Sequence, residues 1–184
     1  MGLTVENLTK RFGEKTAIHH LNFVMEEPGV FGLLGTNGAG KTTTIRSILG
    51  IMQPDEGKAL WNGKKITRDT LAFGYLPEER GIYMKAKVLE QLIYFGMLRG
   101  MKKAEAKQSA QELMEQLQVT EYQNMQAEKL SKGNQQKIQL IAAIIHRPQL
   151  IFLDEPFSGL DPVNAAVLRN LVKKLVKEGK FIIL

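Results

Sequence analysis

Gly35-Thr36-Asn37-Gly38-Ala39-Gly40-Lys41-Thr42 is the stretch that decides the fold of this chain. It fits G-x-x-x-x-G-K-[ST], a loop whose backbone N–H groups turn inward around a phosphate. The flanks supply the context the pattern requires. Residues 30–34 form an apolar run of strand length, and from Lys41 onward Ile45, Ile48 and Leu49 recur at helical spacing until Gly50 ends the helix. Gly35, Gly38 and Gly40 free the backbone to turn, while the positive end of the helix starting at Lys41 attracts an anion. In such a loop the Lys41 ammonium bridges β- and γ-phosphates and the Thr42 hydroxyl is placed for Mg²⁺. Asn37, Ala39 and Thr43 complete the nucleotide-binding positions.

Strand, phosphate loop and helix in that order predict an α/β fold with a parallel sheet, and a second stretch supports it. Leu150-Ile151-Phe152-Leu153 is a run of four large apolar residues, the pattern of a strand buried on both faces. Asp154-Glu155 follows at its C-terminal end, where parallel sheets present ligands. Asp154 suits a Mg²⁺ shell through water, and Glu155 suits a general base polarising an attacking water. A pair of acids capping a helix is the simpler reading of the dipeptide alone; beside a phosphate loop it loses its force.

Outside these stretches, residues 3–8, 21–26, 58–61 and 72–76 read as short strands, and an N-terminal antiparallel β subdomain is expected. Residues 103–118 and 132–146 read as amphipathic helices. Asp161-Pro162 opens a further helix that runs to Gly179, with an N-cap and an N1 proline. Residues 181–184 begin another buried strand and stop inside it, so a fragment of a longer chain is expected. The predicted organisation is one domain: a core of residues 1–86 and 147–184, with a helical subdomain at 87–146.

The chain has 184 residues, 43% hydrophobic and 24% charged, within the globular range and far from disordered compositions. It has no cysteine, which removes disulfide scaffolds and thiol chemistry, and three scattered histidines do not suggest a metal site. No apolar run reaches the roughly 18–20 residues of a membrane span, and Glu6, Lys10 and Arg11 interrupt the N-terminus. A soluble, cytoplasmic chain is expected, meeting a membrane only through a partner. Its net charge of +6 is spread without interleaved aromatics, so a solvated basic surface is favoured over a nucleic-acid face.

Leu130-Ser131-Lys132-Gly133-Asn134, with the amphipathic helix after it, resembles the signature of the nucleotide-binding domains of ABC transporters. The family pattern is Leu-Ser-Gly-Gly-Gln, so Lys132 and Asn134 depart from it and Ser131 and Gly133 keep it. The resemblance covers nearly the whole chain. It implies that the cofactors are ATP and Mg²⁺, and that Ser131 and Gly133 hold the γ-phosphate of ATP bound to a paired ABC domain, normally a second copy. Phe12, in Leu8-Thr9-Lys10-Arg11-Phe12-Gly13, falls where the family stacks an aromatic on adenine. Glu78, in Tyr75-Leu76-Pro77-Glu78-Glu79, falls where most members place a Mg²⁺-shell glutamine. Ser158-Gly159-Leu160-Asp161 resembles the family's D-loop. A histidine contacting the γ-phosphate is expected beyond Leu184.

The resemblance further implies an ATPase subunit that powers a transmembrane partner from the inner face of the cell membrane, on the pattern of bacterial exporters of drugs, peptides or ions. A soluble ABC ATPase acting on ribosomes or DNA is the alternative. A regulatory module without turnover is disfavoured by the presence of both Lys41 and Glu155.

Overall fold

Two sheets carry the strands of the computed structural model, which describes residues 2–67, 72–79 and 81–184. The first is antiparallel. Its hairpin, β1 (Leu3–Phe12) and β2 (Lys15–Met25), turns at Gly13, whose φ of +56 suits a residue without a side chain. β4 (Glu56–Trp61) pairs with the other edge of β1 and β5 (Lys64–Lys65) pairs with β4, giving the order β2-β1-β4-β5. The second sheet is parallel and joins β3 (Gly29–Phe31), β6 (Phe73–Leu76), β7 (Leu150–Leu153) and β8 (Phe181–Ile183) in the order β3-β8-β7-β6.

Every residue of β7 is buried, as its apolar run predicts. The period of two deals its side chains alternately to two cores. Leu150 and Phe152 join Phe181, Trp61 and the apolar residues of α1 (Lys41–Ile48) beneath the antiparallel sheet. Ile151 and Leu153 face the helices α2 (Val88–Leu98), α3 (Lys103–Gln116), α4 (Lys132–Ile144) and α5 (Pro162–Lys177). The strand thus binds the β layer to the helical layer.

Several element boundaries differ from expectation. β1 and β2 run beyond 3–8 and 21–26 because hairpin pairing, with bulges, carries polar residues such as Lys10 and His19 into strand. β3 ends at Phe31, yet Leu33 N–H donates to Leu184 O at 2.6 Å and Leu184 N–H to Phe31 O at 3.0 Å, so the pairing continues past it. α3 and α4 stop before Gln118 and His146. Each is followed by a non-glycine residue in the left-handed region, Gln118 at φ +55 and Arg147 at φ +53, which composition does not signal. α2 escaped separate prediction because apolar residues ring it: Val88, Leu92 and Gly96 face inward, while Tyr94, Met97 and Leu98 face solvent. α2 and α3 also approach closely, since a Cβ at Gly96 would stand 2.7 Å from the Ala106 Cβ.

α5 starts as predicted. Asp161 Oδ1 accepts the Asn164 N–H at 2.9 Å and Pro162 fills the first helical position.

Candidate functional site

Three functional loops leave the parallel sheet at one edge. β3 leads into the phosphate loop, β6 into Pro77 and Glu78, and β7 into Asp154 and Glu155. Because the strands are parallel, their C-terminal ends face the same way, the position where this architecture presents ligands. A cleft of about 450 Å³ opens there. Asn37, Gly38, Gly40, Lys41, Thr42 and Thr43 line one side, and Glu78 and Glu155 line another. Phe12 and Lys15 reach in from the antiparallel sheet.

The loop is built for an anion. α1 begins at Lys41, so its free N–H groups and positive end point into the cleft. Gly40 at φ +93 serves as the N-cap, and a Cβ there would stand 2.4 Å from the Ala17 carbonyl oxygen. No other residue fits this turn. The Lys41 ammonium donates to Gly35 O at 2.8 Å and Thr36 O at 3.2 Å and lies 3.6 Å from Glu155 Oε1. Lysine and carboxylate therefore meet within the cleft. Gly35 and Ala39 shape the loop rather than line the cleft: a Cβ on Gly35 would stand 2.9 Å from that of Ala39, and Ala39 N–H donates to Thr36 O at 3.1 Å.

Glu155 holds φ +50, a conformation costing a non-glycine residue roughly 1–2 kcal/mol. Such strain is kept where a side chain must be aimed, and here it turns the carboxylate back toward Lys41. Its neighbour Asp154 is 2% exposed. Asp154 N–H donates to Leu76 O at 2.9 Å, yet carboxylate oxygen Oδ2 has no hydrogen-bond partner among the described residues. A buried acceptor left unpaired is costly, so this oxygen fits a ligand to a bound cation, directly or through water. Among the described residues no group of three or more His, Cys, Asp or Glu gathers to hold a metal by itself. Mg²⁺ does not require one, since it takes one or two carboxylates and completes its shell with phosphate and water. Thr42 and Glu78 line the cleft, while Asp154 lines an adjoining one that shares Lys41 and Glu155 with it.

Phe12 ends β1 with its ring half exposed at the cleft, and Lys10 Nζ stands 5.7 Å from the ring centroid. Asp55 fastens this strand end, accepting Arg11 N–H at 2.6 Å and Lys10 Nζ at 3.0 Å. Those two bonds, Arg11 N–H first, hold the Asp55 carboxyl below its ordinary range. Lys15 faces Phe12 across the hairpin and enters the cleft unforeseen, because only strand register brings it there.

Ser131 and Gly133 lie outside the cleft, at the start of α4. Ser131 Oγ accepts the Asn134 N–H at 3.3 Å as N-cap, and a Cβ on Gly133 would meet Asn164 Nδ2 at 3.3 Å. Two residues of α4 that the sequence reading did not single out reach toward the site. Gln136 Nε2 donates to Pro156 O at 2.8 Å, and Gln139 Nε2 donates to Pro77 O at 3.2 Å and Glu79 O at 2.7 Å.

The family model described as ABC transporter matches residues 18–158. This chain belongs to the ABC transporter ATP-binding family. It is 49% identical over 178 residues to the uncharacterized ABC transporter ATP-binding protein YhaQ of Bacillus subtilis (strain 168), covering 96% of this chain and 60% of that relative. It is 30% identical over 184 residues to the lipopolysaccharide export system ATP-binding protein LptB of Escherichia coli (strain K12), with 96% of this chain and 76% of LptB covered. Among solved structures, an ATP-binding subunit of an ABC transporter superposes with a TM-score of 0.88 at 29% identity, covering all of this chain and 78% of that one. The parallel core, the antiparallel sheet and the helices are thus those of the ABC ATPases. The family binds ATP, normally with Mg²⁺, and its ATP-binding subunits generally pair with transmembrane subunits. No helix among the described residues is long and apolar enough to cross a membrane.

Proposed function

We propose that this chain is the ATP-hydrolysing subunit of an ABC transporter, acting at the inner face of the cell membrane through a transmembrane partner. The observation that carries the reading is the meeting of Lys41 and Glu155 at 3.6 Å in a cleft that also holds Glu78 and the half-exposed ring of Phe12. Adenine stacks on Phe12, and the triphosphate runs along the loop from Asn37 to Thr43. Lys41 leaves its carbonyl partners for the β- and γ-phosphates. Glu155, aimed by its left-handed backbone, takes up the attacking water as general base. Thr42, Asp154 and Glu78 would hold Mg²⁺, which when bound would supply positive charge against the charge developing on the phosphates.

Ser131 and Gly133 sit away from the cleft of their own chain, which suits a second copy whose signature closes over this chain's ATP in a two-fold arrangement. Residues 1–86 and 147–184 serve as the ATP-binding core, and 87–146 as the helical subdomain carrying the signature. The named role of LptB in an export system favours export as the direction.

The test is carried out on the full-length protein. Glu155→Gln should lower hydrolysis by roughly 10² or more while ATP stays bound, because the amide is nearly non-basic and isosteric. Sizing in Mg-ATP should then show a dimer, and adding Ser131→Arg should return it to monomer. A Glu155→Gln protein that hydrolyses ATP at the parent rate would overturn the assignment of Glu155.

A further inference from the structure

We propose that Gln139 is a positioning residue that fixes Glu78 in the ATP cleft from the helix bearing the signature. This inference rests on the proposed role of Glu78 as a Mg²⁺ ligand.

Glu78 is exposed and follows β6 with no hydrogen bond of its side chain among the described residues to hold it. Its main chain, by contrast, is gripped. The two N–H groups of one carboxamide, Gln139 Nε2, reach the carbonyls on either side, Pro77 O at 3.2 Å and Glu79 O at 2.7 Å. A primary amide has two such hydrogens, so a single group tethers both neighbours of Glu78: it fixes the Pro77–Glu78 peptide unit directly and limits how far the chain can swing one residue beyond. Gln139 can serve as a fixed post because it is 7% exposed and mid-helix, on α4 beside the fully buried Ile138 and Ile141.

The same helix holds the other carboxylate loop. Gln136, one turn earlier, donates to Pro156 O next to Glu155. Ser131 caps the helix and Gly133 lies in its first turn. One rigid element therefore carries the signature at its end and grips both acid-bearing loops from its side. A shift of α4 when the signature engages would move the main chain at Glu78 and Glu155 together.

Two readouts test this in the full-length protein. Gln139→Leu keeps the volume and removes both donors; Pro77 and Gln139 line a second cleft of about 500 Å³, where water can take over the freed carbonyls, so the fold should survive. Amide hydrogen exchange around Glu78, read at the Asp154 N–H that donates to Leu76 O just before it, should quicken by roughly 10- to 100-fold without nucleotide or metal, the effect of two lost hydrogen bonds on local opening. The Mg²⁺ concentration for half-maximal ATPase at fixed ATP should rise several-fold, with no further rise when Gln139→Leu is added to Glu78→Gln. If Gln139→Leu melts out of range, Gln139→Glu, which keeps the length and lacks the donors, goes through the same measurements. Unchanged exchange around Glu78 overturns the proposal. So do additive effects in the double variant, or an unmoved Mg²⁺ requirement where Glu78→Gln moves it. Faster exchange together with a Glu78→Gln protein of unaltered Mg²⁺ requirement instead sinks the metal role of Glu78 and leaves the clamp standing.

Discussion

Gly40 and Gly38 offer a paired measurement in which one substitution controls for the other. Both glycines of the phosphate loop hold positive φ, +93 and +81. Alanine at either position meets the left-handed backbone penalty of roughly 1–2 kcal/mol, and both gain the same entropic relief in the unfolded chain. Their surroundings differ. A Cβ at position 38 meets nothing within 4 Å, whereas at position 40 it lies 2.4 Å from the Ala17 carbonyl oxygen and 3.4 Å from the Ala17 carbonyl carbon. Ala17 is backbone of β2, held in the hairpin, so the loop must give way. Restoring an ordinary separation of about 3.5 Å moves the loop by roughly 1 Å. A displacement of that size in a positioning element costs on the order of 10²-fold, or nearly 3 kcal/mol.

The strain emerges either as lost stability, if the loop stays put, or as lost ATP affinity, if it relaxes. The sum of the two is therefore the quantity to compare. Gly38→Ala should cost about 1–2 kcal/mol and Gly40→Ala about 3–5 kcal/mol, read from Mg-ATP titration calorimetry together with thermal melts, where 1 kcal/mol moves Tm by roughly 2–4 °C. Equal summed losses for the two variants would refute the claim that close approach to Ala17, rather than φ alone, selects glycine at position 40.

Lys41→Ala should remove most of the Mg-ATP affinity, expected in the micromolar to millimolar range, about −4 to −8 kcal/mol; calorimetric titration giving the parent value would contradict the phosphate-loop assignment. His146 supplies a pH test. Burial, with Arg99 adding to it, pushes its imidazole from the ordinary 6.5 down to about 4, against the hydrogen bond to Phe73 O at 3.2 Å. Since the folded value lies below the unfolded one, the unfolded chain takes up the proton first. Stability is full above about pH 6.5 and falls as pH drops from there toward 4. Melts of the parent and of His146→Gln between pH 7 and pH 5 should show a smaller loss in the variant, and parallel curves would argue against a buried neutral imidazole.

The candidate site at the strand ends was legible in sequence because its motifs are local. The phosphate loop needs glycines at set intervals and a lysine at a helix start, and all lie within Gly35 to Thr42. β7 announces itself through four apolar residues because burial on both faces leaves no room for a polar one. The caps Ser131 and Asp161 are equally local, each accepting an N–H three residues on. Lys41, Thr42, Asp154 and Glu155 could thus be named together before any strand was paired.

Tertiary structure decided what depends on distance across the sheet. Lys15 lines the cleft through hairpin register with Phe12, and a one-residue slip would send it to the other face. Gln139 meets Pro77 and Glu79 across about sixty positions of sequence only because α4 packs on β6. The ends of α3 and α4 fall short of the apolar pattern because Gln118 and Arg147 turn left-handed, without glycine to mark the site. α2 hid because its apolar residues lie on the buried and the exposed face alike. Sequence by itself determined the phosphate-loop motif and the acidic pair at the end of β7, since propensity and motif spacing act over a few residues; the fold alone decided how these side chains are aimed, because hydrogen bonds and close packing between distant segments have no local signature.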